Sequence, residues 1–369
     1  MRKIRVALKD RSYEILVDKE LLPSVGRLIK RSSISQRSVL VVSQKEVAVY
    51  YQKTLFESLT QEGFNVDFFV TPATRSSEAS KSQAVFIKLI KKIASLGGRH
   101  QSILLIALGG GVIGDLTGFA ASTYRRGIPY VQIPTTLTAQ VDSSIGGKTG
   151  IDLPEGKNLL GTIYQPALVL SDVSLLSSLP ERHWSDGFAE VIKCGVIKDP
   201  ALFTHLEKQG KSQLRQNKRK LEKVIFRCAK IKARIVCQDE MDKKGLRMIL
   251  NFGHTTGHAI ESVSGFARQV THGEAVGIGM LVACDIAEKL GILKDRRLTE
   301  RLEKTLMKFD LPLYYRGLSV ESILKAMGFD KKSEGGKNRF VLPVSLGKTM
   351  IVTDVPHSAI EESLEKRKG

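Results

Sequence analysis

Cysteine is scarce in this chain, whose 369 residues include four, at positions 194, 228, 237 and 284. None of their spacings is C-x-x-C, so they suggest neither a zinc ribbon nor a disulfide framework. No apolar run approaches the ~20 residues that a membrane helix needs. The first eight residues alternate charged and apolar side chains and lack the apolar core of a signal peptide. We therefore expect a cytoplasmic protein with no membrane segment.

Acidic residues are also few relative to basic ones: 38 Asp and Glu face 57 Lys and Arg, giving a formal charge of +19. Much of the excess lies between Lys208 and Arg234. Such charge can attract nucleic acid or steer a small anionic substrate. Leu221, Val224 and Cys228 recur at helical spacing, so the lysines are expected to cover the outer side of a helix. We therefore expect a small anionic substrate, and do not expect nucleic acid as the main partner.

The pattern of secondary structure changes near Leu179 and Pro180. Before this point, strands are predicted at 39–42, 65–70, 102–108 and 130–134, with a helix at 80–93, and this alternation is typical of a doubly wound parallel sheet. After it, the predicted helices lie at 190–197, 201–208, 220–238, 254–263, 273–289 and 298–309, and short strands at 339–342 and 349–352. We expect an α/β domain at 1–179, a mainly helical domain at 180–369, and an active site in a cleft between them.

A glycine motif follows the strand predicted at 102–108. Residues 109–115 read GGGVIGD, which satisfies G-x-G-x-x-G before a helix predicted at 116–123. Glycines let backbone N–H groups approach a pyrophosphate at a helix N-terminus. No ribose-binding acid is evident about 20 residues further on, so a tight turn is the alternative.

Small residues continue beyond this motif, at 134–136, 141–150 and 156–158. They would keep the backbone close to a ligand, while Lys148, Lys157 and Asn158 supply hydrogen-bond donors. The spacing is not that of a P-loop, because Asp142 stands five residues before Gly147 where that motif has glycine. A flexible surface loop is the alternative here.

Three of the seven histidines lie between positions 254 and 272. His254 and His258 are four residues apart, so they share one face of a helix. Neutral imidazole is suited both to metal binding and to proton transfer. Spacing alone therefore favours these two as ligands, with Glu190, Glu261 or His272 as the third. Two core histidines with satisfied hydrogen bonds are the alternative.

The chain resembles the 3-dehydroquinate synthase family in motifs that follow one another along most of its length: GGGVIGD at 109–115, DSSIGGK at 142–148, GKN at 156–158, AEVIK at 189–193, GLR at 245–247, NFGHTTGH at 251–258, HGE at 272–274 and DKK at 330–332. The resemblance implies a Rossmann-like domain that binds NAD and a helical domain that holds zinc or cobalt. It implies Glu190, His254 and His272 as metal ligands, which overrules the pair chosen by spacing, and it makes His258 a proton-transfer residue.

The resemblance also implies roles for further residues. Those implied to contact NAD are Glu78, Lys81, Gly110, Gly111, Asp115, Thr135, Thr136 and Lys157. Those implied at the substrate are Arg126, Asp142, Lys148, Asn158, Lys193, Lys232, Arg247, Asn251, Lys331 and Lys332. Asp142, Lys193, Asp242 and His258 are the implied catalytic residues. Arg126 would reach the site of the partner subunit in a homodimer.

The reaction implied converts 3-deoxy-D-arabino-heptulosonate 7-phosphate into 3-dehydroquinate and phosphate, the second step of the shikimate pathway. C5 is oxidised by NAD, phosphate is eliminated, the ketone is reduced again, and the ring opens and closes by an aldol step. Two residues depart from the family pattern: Asp242 stands where glutamate is usual, with one extra residue before Gly245, and Asp186 stands where asparagine or a small residue is usual. The alternative activities are another sugar phosphate cyclase and a metal-dependent polyol dehydrogenase.

Overall fold

The structure is a computed structural model that describes residues 1–32, 34–72, 78–96, 103–265, 270–328 and 338–369. Lys331 and Lys332 lie outside the described residues. By compactness the chain divides into two units, of which the first is Met1–Pro180 with Leu221–Met241 and the second is Glu181–Lys220 with Asp242–Gly369. Among the described helices, none has the length and apolar character required to cross a membrane.

The strands of the described residues are β1 (Arg2–Val6), β2 (Tyr13–Asp18), β3 (Ser38–Ser43), β4 (Asn65–Val70), β5 (Ile103–Gly109), β6 (Tyr130–Pro134), β7 (Lys148–Leu153), β8 (Gly156–Ile163), β9 (Leu168–Asp172), β10 (Arg339–Ser345) and β11 (Lys348–Thr353). The helices are α1 (Val25–Lys30), α2 (Lys45–Thr60), α3 (Gln83–Leu96), α4 (Gly111–Thr123), α5 (Glu181–Lys198), α6 (Pro200–Gln209), α7 (Lys211–Gln216), α8 (Lys218–Gln238), α9 (His254–Val263), α10 (His272–Lys289), α11 (Leu298–Lys308), α12 (Val320–Ala326) and α13 (His357–Lys366).

The first unit contains a seven-stranded sheet in the order β1-β2-β9-β6-β5-β3-β4. β1 and β2 are antiparallel, and the other pairs are parallel. Successive side chains of a strand point to opposite faces. Val39 and Val41 of β3 pack in one buried cluster with residues of α1 and α2, while Leu40 and Val42 pack in another with residues of α3 and α4. Helices therefore cover both faces, which confirms the predicted doubly wound sheet.

The sheet is wider than predicted, because β2 and β9 were not identified in the sequence. They pair with each other in parallel and extend the sheet beyond β6. Residues 148–150 and 156–158, expected to keep the backbone close to a ligand, belong to the antiparallel hairpin β7–β8. Two helices also begin earlier than predicted, α4 at Gly111 rather than 116 and α5 at Glu181 rather than 190.

The second unit is mainly helical, as predicted, with β10 and β11 forming a two-stranded antiparallel sheet. α5 is buried from Trp184 to Ile197, and α10 at Gly273 and from Ala275 to Ala287. These helices approach closely at Gly273, where an added Cβ would lie 2.3 Å from the Cα of Asp186. Glycine is therefore required at this crossing, which brings the start of α10 beside the middle of α5.

Candidate active site

The second unit brings one carboxylate and two imidazoles together. Glu190 lies in the buried middle of α5, while His254 and His272 are the first residues of α9 and α10. The Nε2 atoms of His254 and His272 lie 3.4 and 3.3 Å from Oε1 of Glu190. One ligand atom from each residue lies within 4.8 Å of the others. One oxygen and two nitrogens with an open fourth position form a donor set typical of catalytic zinc.

The other ring nitrogen of each of these histidines also has a partner. Nδ1 of His254 lies 3.2 Å from the carbonyl oxygen of Phe252, and Nδ1 of His272 lies 3.1 Å from Oε2 of Glu261. A proton held on Nδ1 leaves the Nε2 lone pair free for a metal. Glu261, which spacing had left open as a third ligand, therefore lies behind His272 rather than in the donor set.

His258 lies beside the donor set and is not part of it. Its ring centroid is 5.1 Å from that of His254 and 5.9 Å from that of His272. The side chain is exposed to solvent and has no hydrogen bond to a described residue. Desolvation by neighbouring protein atoms, together with the two other histidines, lowers the pKa of His258 to about 4. The structure therefore groups His254 with Glu190 and His272, and not with His258 as the i, i+4 spacing had favoured.

Glu190 forms a buried ion pair with Lys193, one turn further along α5, and the two side chains are 1% and 2% exposed. Residues three apart on a helix often form an ordinary surface pair, but the burial of both side chains excludes that interpretation here. Burial alone would raise the pKa of Glu190, but the charges of Lys193 and His254 outweigh it and hold that pKa well below its usual value. Burial lowers the pKa of His272, yet hydrogen bonds to Glu190 and Glu261 raise it to about 10. The contacts of His272 with two carboxylates thus favour its protonated form.

The N-terminus of α10, which carries His272, is held by two carboxylates. Oδ1 of Asp186 accepts hydrogen bonds from the hydroxyl of Thr271 and, at 3.0 Å, from the backbone N–H of Gly273. Glu274 completes a capping box by accepting from the backbone N–H of Thr271 at 2.9 Å. Asp186, the departure from the family pattern noted above, therefore connects the helix of Glu190 to the helix of His272.

The glycine motif of the first unit lies where the order of the parallel strands reverses. The chain runs from β3 outward to β4, then returns to β5 on the other side of β3 and continues through β6 to β9. Ligands of open α/β sheets bind at the carboxyl ends of the strands at such a point. The turn that follows β5 therefore has the position expected of a nucleotide site.

The glycines of this turn leave room for a ligand or for packing. Gly110 caps α4 and Gly111 is its first residue. Added Cβ atoms there would lie 3.0 Å from the side chain of Thr136 and 2.9 Å from that of Ser143. At Gly114 an added Cβ would lie 2.6 Å from a side-chain oxygen on β6, so this glycine serves helix–strand packing. Gly110 and Gly111 thus keep the backbone N–H groups at the start of α4 accessible.

Charged side chains cluster next to α4. Nζ of Lys81 lies 2.6 Å from Oδ2 of Asp115 and 2.5 Å from Oδ1 of Asn158. Lys157 faces Glu78 at 3.8 Å. Burial raises the pKa of both Asp115 and Glu78, because the nearby lysines do not fully offset the desolvation of the carboxylates. We call Glu78, Lys81, Asp115, Lys157 and Asn158 the lysine–carboxylate cluster.

The lysine–carboxylate cluster also involves Asp152, which the sequence reasoning missed. Its backbone N–H donates to the carbonyl of Lys81 at 2.7 Å, and its Oδ1 accepts from the backbone N–H of Asn158 at 2.8 Å. Asp152 lies in β7, before the hairpin turn that leads to Lys157 and Asn158 at the start of β8. Asp152 thus joins the hairpin to the segment that holds Lys81.

A second ion pair of the first unit joins Asp142 to Lys232. Nζ of Lys232 lies 2.7 Å from Oδ1 of Asp142 and donates to its carbonyl oxygen at 2.8 Å. Asp142 lies in a π-helical turn, Ala139–Ser143, which is a form often found at functional sites. Lys232 is buried on α8 with Leu221, Val224 and Cys228, whose burial agrees with the predicted amphipathic helix.

The other predicted site residues differ in their surroundings: Thr135 and Arg247 are buried, Thr136 and Asp242 are half-buried, and Arg126, Lys148 and Asn251 are exposed. Arg126 lies in a turn that strains its backbone, since both Arg125 and Arg126 have positive φ, 49° and 65°. Arg126 is thereby held at the surface of the first unit.

The fold and the site define a class of enzymes in which an α/β unit has a glycine turn at its strand switch point and a helical unit holds a carboxylate–imidazole metal site. Two solved structures share the fold over nearly the whole chain. 2-Epi-5-epi-valiolone synthase (ValA) from Streptomyces hygroscopicus subsp. jinggangensis, with NAD+ and Zn2+ bound, is 29% identical with a TM-score of 0.83, covering 98% of each chain. 2-Deoxy-scyllo-inosose synthase, complexed with carbaglucose-6-phosphate, NAD+ and Co2+, is 25% identical with a TM-score of 0.85, covering 99% of this chain and 100% of that one.

The sequence comparisons narrow this class to one family. Residues 72–186 match the family model for the 3-dehydroquinate synthase N-terminal region, and residues 187–333 match that for the C-terminal region. The 3-dehydroquinate synthase of Crocosphaera subtropica is 43% identical over 371 aligned residues, covering 99% of each chain. The chain belongs to the 3-dehydroquinate synthase family.

Proposed function

We propose that this chain converts 3-deoxy-D-arabino-heptulosonate 7-phosphate into 3-dehydroquinate and phosphate, with NAD and a divalent metal, zinc or cobalt, as cofactors. Membership of the family supports the reaction. The single structural observation that carries the proposal is the convergence of Glu190, His254 and His272 from three helices. Both Nε2 atoms are directed at one carboxylate oxygen while each Nδ1 has an acceptor of its own, which is the arrangement that metal binding through Nε2 requires.

We assign the metal to Glu190, His254 and His272. When bound, the metal would act as a Lewis acid that lowers the pKa of the substrate hydroxyl to be oxidised. Glu190 contributes Oε1, while its other oxygen pairs with Lys193. Lys193 thus balances part of the charge of a carboxylate that is buried in α5, and its ammonium group lies beside the place where substrate oxygens would bind.

The NAD site is assigned to the glycine turn after β5 and the lysine–carboxylate cluster. NAD would supply reversible hydride transfer with no net oxidation of the substrate. Gly110 and Gly111 would present backbone N–H groups to the pyrophosphate, with Thr135 and Thr136 on the neighbouring strand end. The cluster would bind the remaining polar groups through Asp115, Lys81, Glu78 and Lys157, whose side chains already lie next to α4.

The substrate carries a carboxylate and a phosphate, which require cationic and amide donors. We assign this role to Arg126, Asp142, Lys148, Asn158, Lys193, Lys232, Arg247 and Asn251, with Lys331 and Lys332 proposed from the resemblance alone. A neutral polyol would need no such set. This difference favours the cyclase reaction over a polyol dehydrogenase.

His258 is proposed as the proton-transfer residue. Its ring lies beside both metal-binding histidines and is exposed to solvent, so it can exchange protons with substrate or water. Asp242, half-buried with a positive φ of 55°, is proposed as a second acid–base group in place of the usual glutamate.

The test of the main proposal is phosphate release from the heptulosonate phosphate by the purified chain. We expect release that needs a divalent metal and only catalytic NAD, with no net accumulation of NADH. Absence of release from folded, metal-loaded protein would refute the proposed activity. Accumulation of NADH with a simple polyol would favour the dehydrogenase instead.

We also propose a homodimer in the cytoplasm. Buried free thiols at Cys194, Cys228 and Cys284 suit a reducing compartment. The strained, exposed turn of Arg126 suits a residue that reaches a partner's site. Mixing of two inactive variants, Arg126→Ala and His272→Ala, tests this assignment. If Arg126 acts across the interface, re-associated mixtures should recover about a quarter of the wild-type activity, because half of the dimers then contain one complete site. No recovery would place Arg126 in its own subunit's site.

A further inference from the structure

The carboxylate of Glu261 lies on the side of His272 that faces away from Glu190. Its Oε2 is 3.1 Å from Nδ1 of His272, whose Nε2 is 3.3 Å from Oε1 of Glu190. The imidazole is therefore held at both nitrogens by carboxylates from two helices. Glu261 is seven residues after His254 on α9, so it lies on the same face of that helix, two turns further along.

We infer that Glu261 is a positioning residue for the metal, acting through the Nδ1 hydrogen bond of His272; this inference rests on the proposed metal site. A carboxylate at this place keeps the proton on Nδ1 and directs the Nε2 lone pair at the donor set. It also makes the imidazole a more basic ligand. Glu261 does not reach the metal and is not a catalytic residue.

The contrast with His254 shows why this support depends on a side chain. Nδ1 of His254 donates to the backbone carbonyl of Phe252 at 3.2 Å, and this carbonyl is positioned by the turn that precedes α9. His272 is the first residue of α10, and its Nδ1 partner comes from α9. Substitution can remove the partner of His272 but leaves the carbonyl beside His254 in place.

The burial of Glu261 also argues for a role beyond stability. Its side chain is 12% exposed, and a carboxylate that is withdrawn from water loses solvation unless a cation or donor compensates. The imidazole of His272 supplies that donor. The hydrogen bond that compensates the burial of Glu261 is thus made with His272, a proposed metal ligand.

The experiment measures Zn2+ and Co2+ affinity by competition with a chromophoric chelator, using wild type, Glu261→Gln and Glu261→Ala. Glu288→Gln is the matched control, because Glu288 lies on α10 but contacts Thr299 at the far end of the helix. We expect both Glu261 variants to bind metal about 10–100-fold more weakly, with the larger loss in Glu261→Ala, and the control to bind as wild type does. The visible absorption of bound Co2+ should shift in Glu261→Gln and stay unchanged in the control.

The outcomes separate this inference from the proposed function. Equal affinity and equal Co2+ spectra in Glu261→Gln, Glu288→Gln and wild type would overturn the role of Glu261 while leaving the metal site intact. Absence of metal binding by wild type would overturn both. Thermal unfolding of the metal-free variants checks the fold. Because glutamine nearly matches the shape of glutamate, Glu261→Gln decides the question even if Glu261→Ala does not fold.

Discussion

The two units bury charge in different ways. In the second unit, the carboxylates of Glu190 and Glu261 surround two imidazoles, with Lys193 as a neighbouring cation. In the first unit, the carboxylate of Asp115 is already paired with Lys81, and Glu78 faces Lys157. With neutral imidazoles, as metal binding requires, Glu190 and Glu261 carry one negative charge more than Lys193 offsets, and a divalent cation would supply the missing positive charge. The lysine–carboxylate cluster contains its own cations.

The two sites also differ in the elements that position them. The proposed metal ligands come from three packed helices, of which α5 and α10 are buried over most of their length. The lysine–carboxylate cluster comes from the 3-10 turn Glu78–Ser80 and Lys81 after it, from α4 and from the start of β8. Metal affinity should therefore depend on the packing of these helices. Nucleotide affinity should depend on the lysine–carboxylate pairs of the cluster, whose partners a bound nucleotide could replace.

The strongest test of this comparison removes a member of the donor set. Glu190→Ala, His254→Ala or His272→Ala should reduce bound metal sharply and lower turnover by about 10³-fold or more, since a metal contributes several kcal/mol of charge stabilisation. NAD affinity should stay near that of wild type. Metal analysis of the purified variants, together with NAD titration, measures both. Retention of metal by His272→Ala with loss by His258→Ala would restore the ligand pair favoured by spacing.

A second test separates metal binding from proton transfer at neighbouring rings. His258→Ala should retain its metal but lower kcat by about 10²-fold or more, as expected for the loss of a general acid–base group. Metal content and steady-state kinetics of the same preparation check this prediction. A variant with normal kcat would show that His258 is only a neighbour of the site.

The first unit provides the complementary test. Lys81→Ala should weaken NAD binding by about 10–100-fold, because charge-assisted hydrogen bonds contribute about 1.5–3 kcal/mol and the buried carboxylate of Asp115 would lose its partner. Metal content should not change. Lys92→Ala is the matched control, since Lys92 pairs with Asp67 at the surface of the same unit. Calorimetric titration with NAD decides the case, and equal affinities of the two variants would refute the role of Lys81.

The layers of the fold were easier to predict from the sequence than the outer strands of the sheet and the ends of the helices. β5 was evident because a continuous apolar run is typical of a central parallel strand. β2 and β9 were missed, since they pair across a large separation that no local pattern reports. The start of α4 was placed too late because glycine has low helix propensity, yet tertiary packing lets the helix begin inside the glycine motif.

The metal site shows the same limit. Spacing reports only which residues share a face of one helix, and it therefore favoured His254 with His258. Glu190 and His272 are 82 residues apart, and they meet because Gly273 allows α5 and α10 to cross closely. The resemblance named the three residues that the structure brings together, whereas spacing alone did not. Whether Glu261 was a ligand or a supporting carboxylate depended on distances that no sequence pattern contains.

The smallest expected effect concerns Asp186, one of the two residues that depart from the family pattern. Asp186→Ala removes the acceptor for the Thr271 hydroxyl and the Gly273 N–H, so it should lower the free energy of unfolding by about 1 kcal/mol, as the loss of a helix cap does. Because this cap holds the helix end that carries His272, we also expect a metal affinity a few-fold weaker, with NAD affinity unchanged.

Asp199→Ala is the matched control for this change, because Asp199 caps α6 in the same unit through the N–H of Leu202 at 3.1 Å. It should cost similar stability without altering metal affinity. Thermal unfolding of the metal-free proteins and chelator competition measure the two quantities separately. If both variants lose the same stability and neither loses metal affinity, the capping of α10 by Asp186 does not influence metal binding. Metal affinity would then depend on Glu190, His254 and His272 alone.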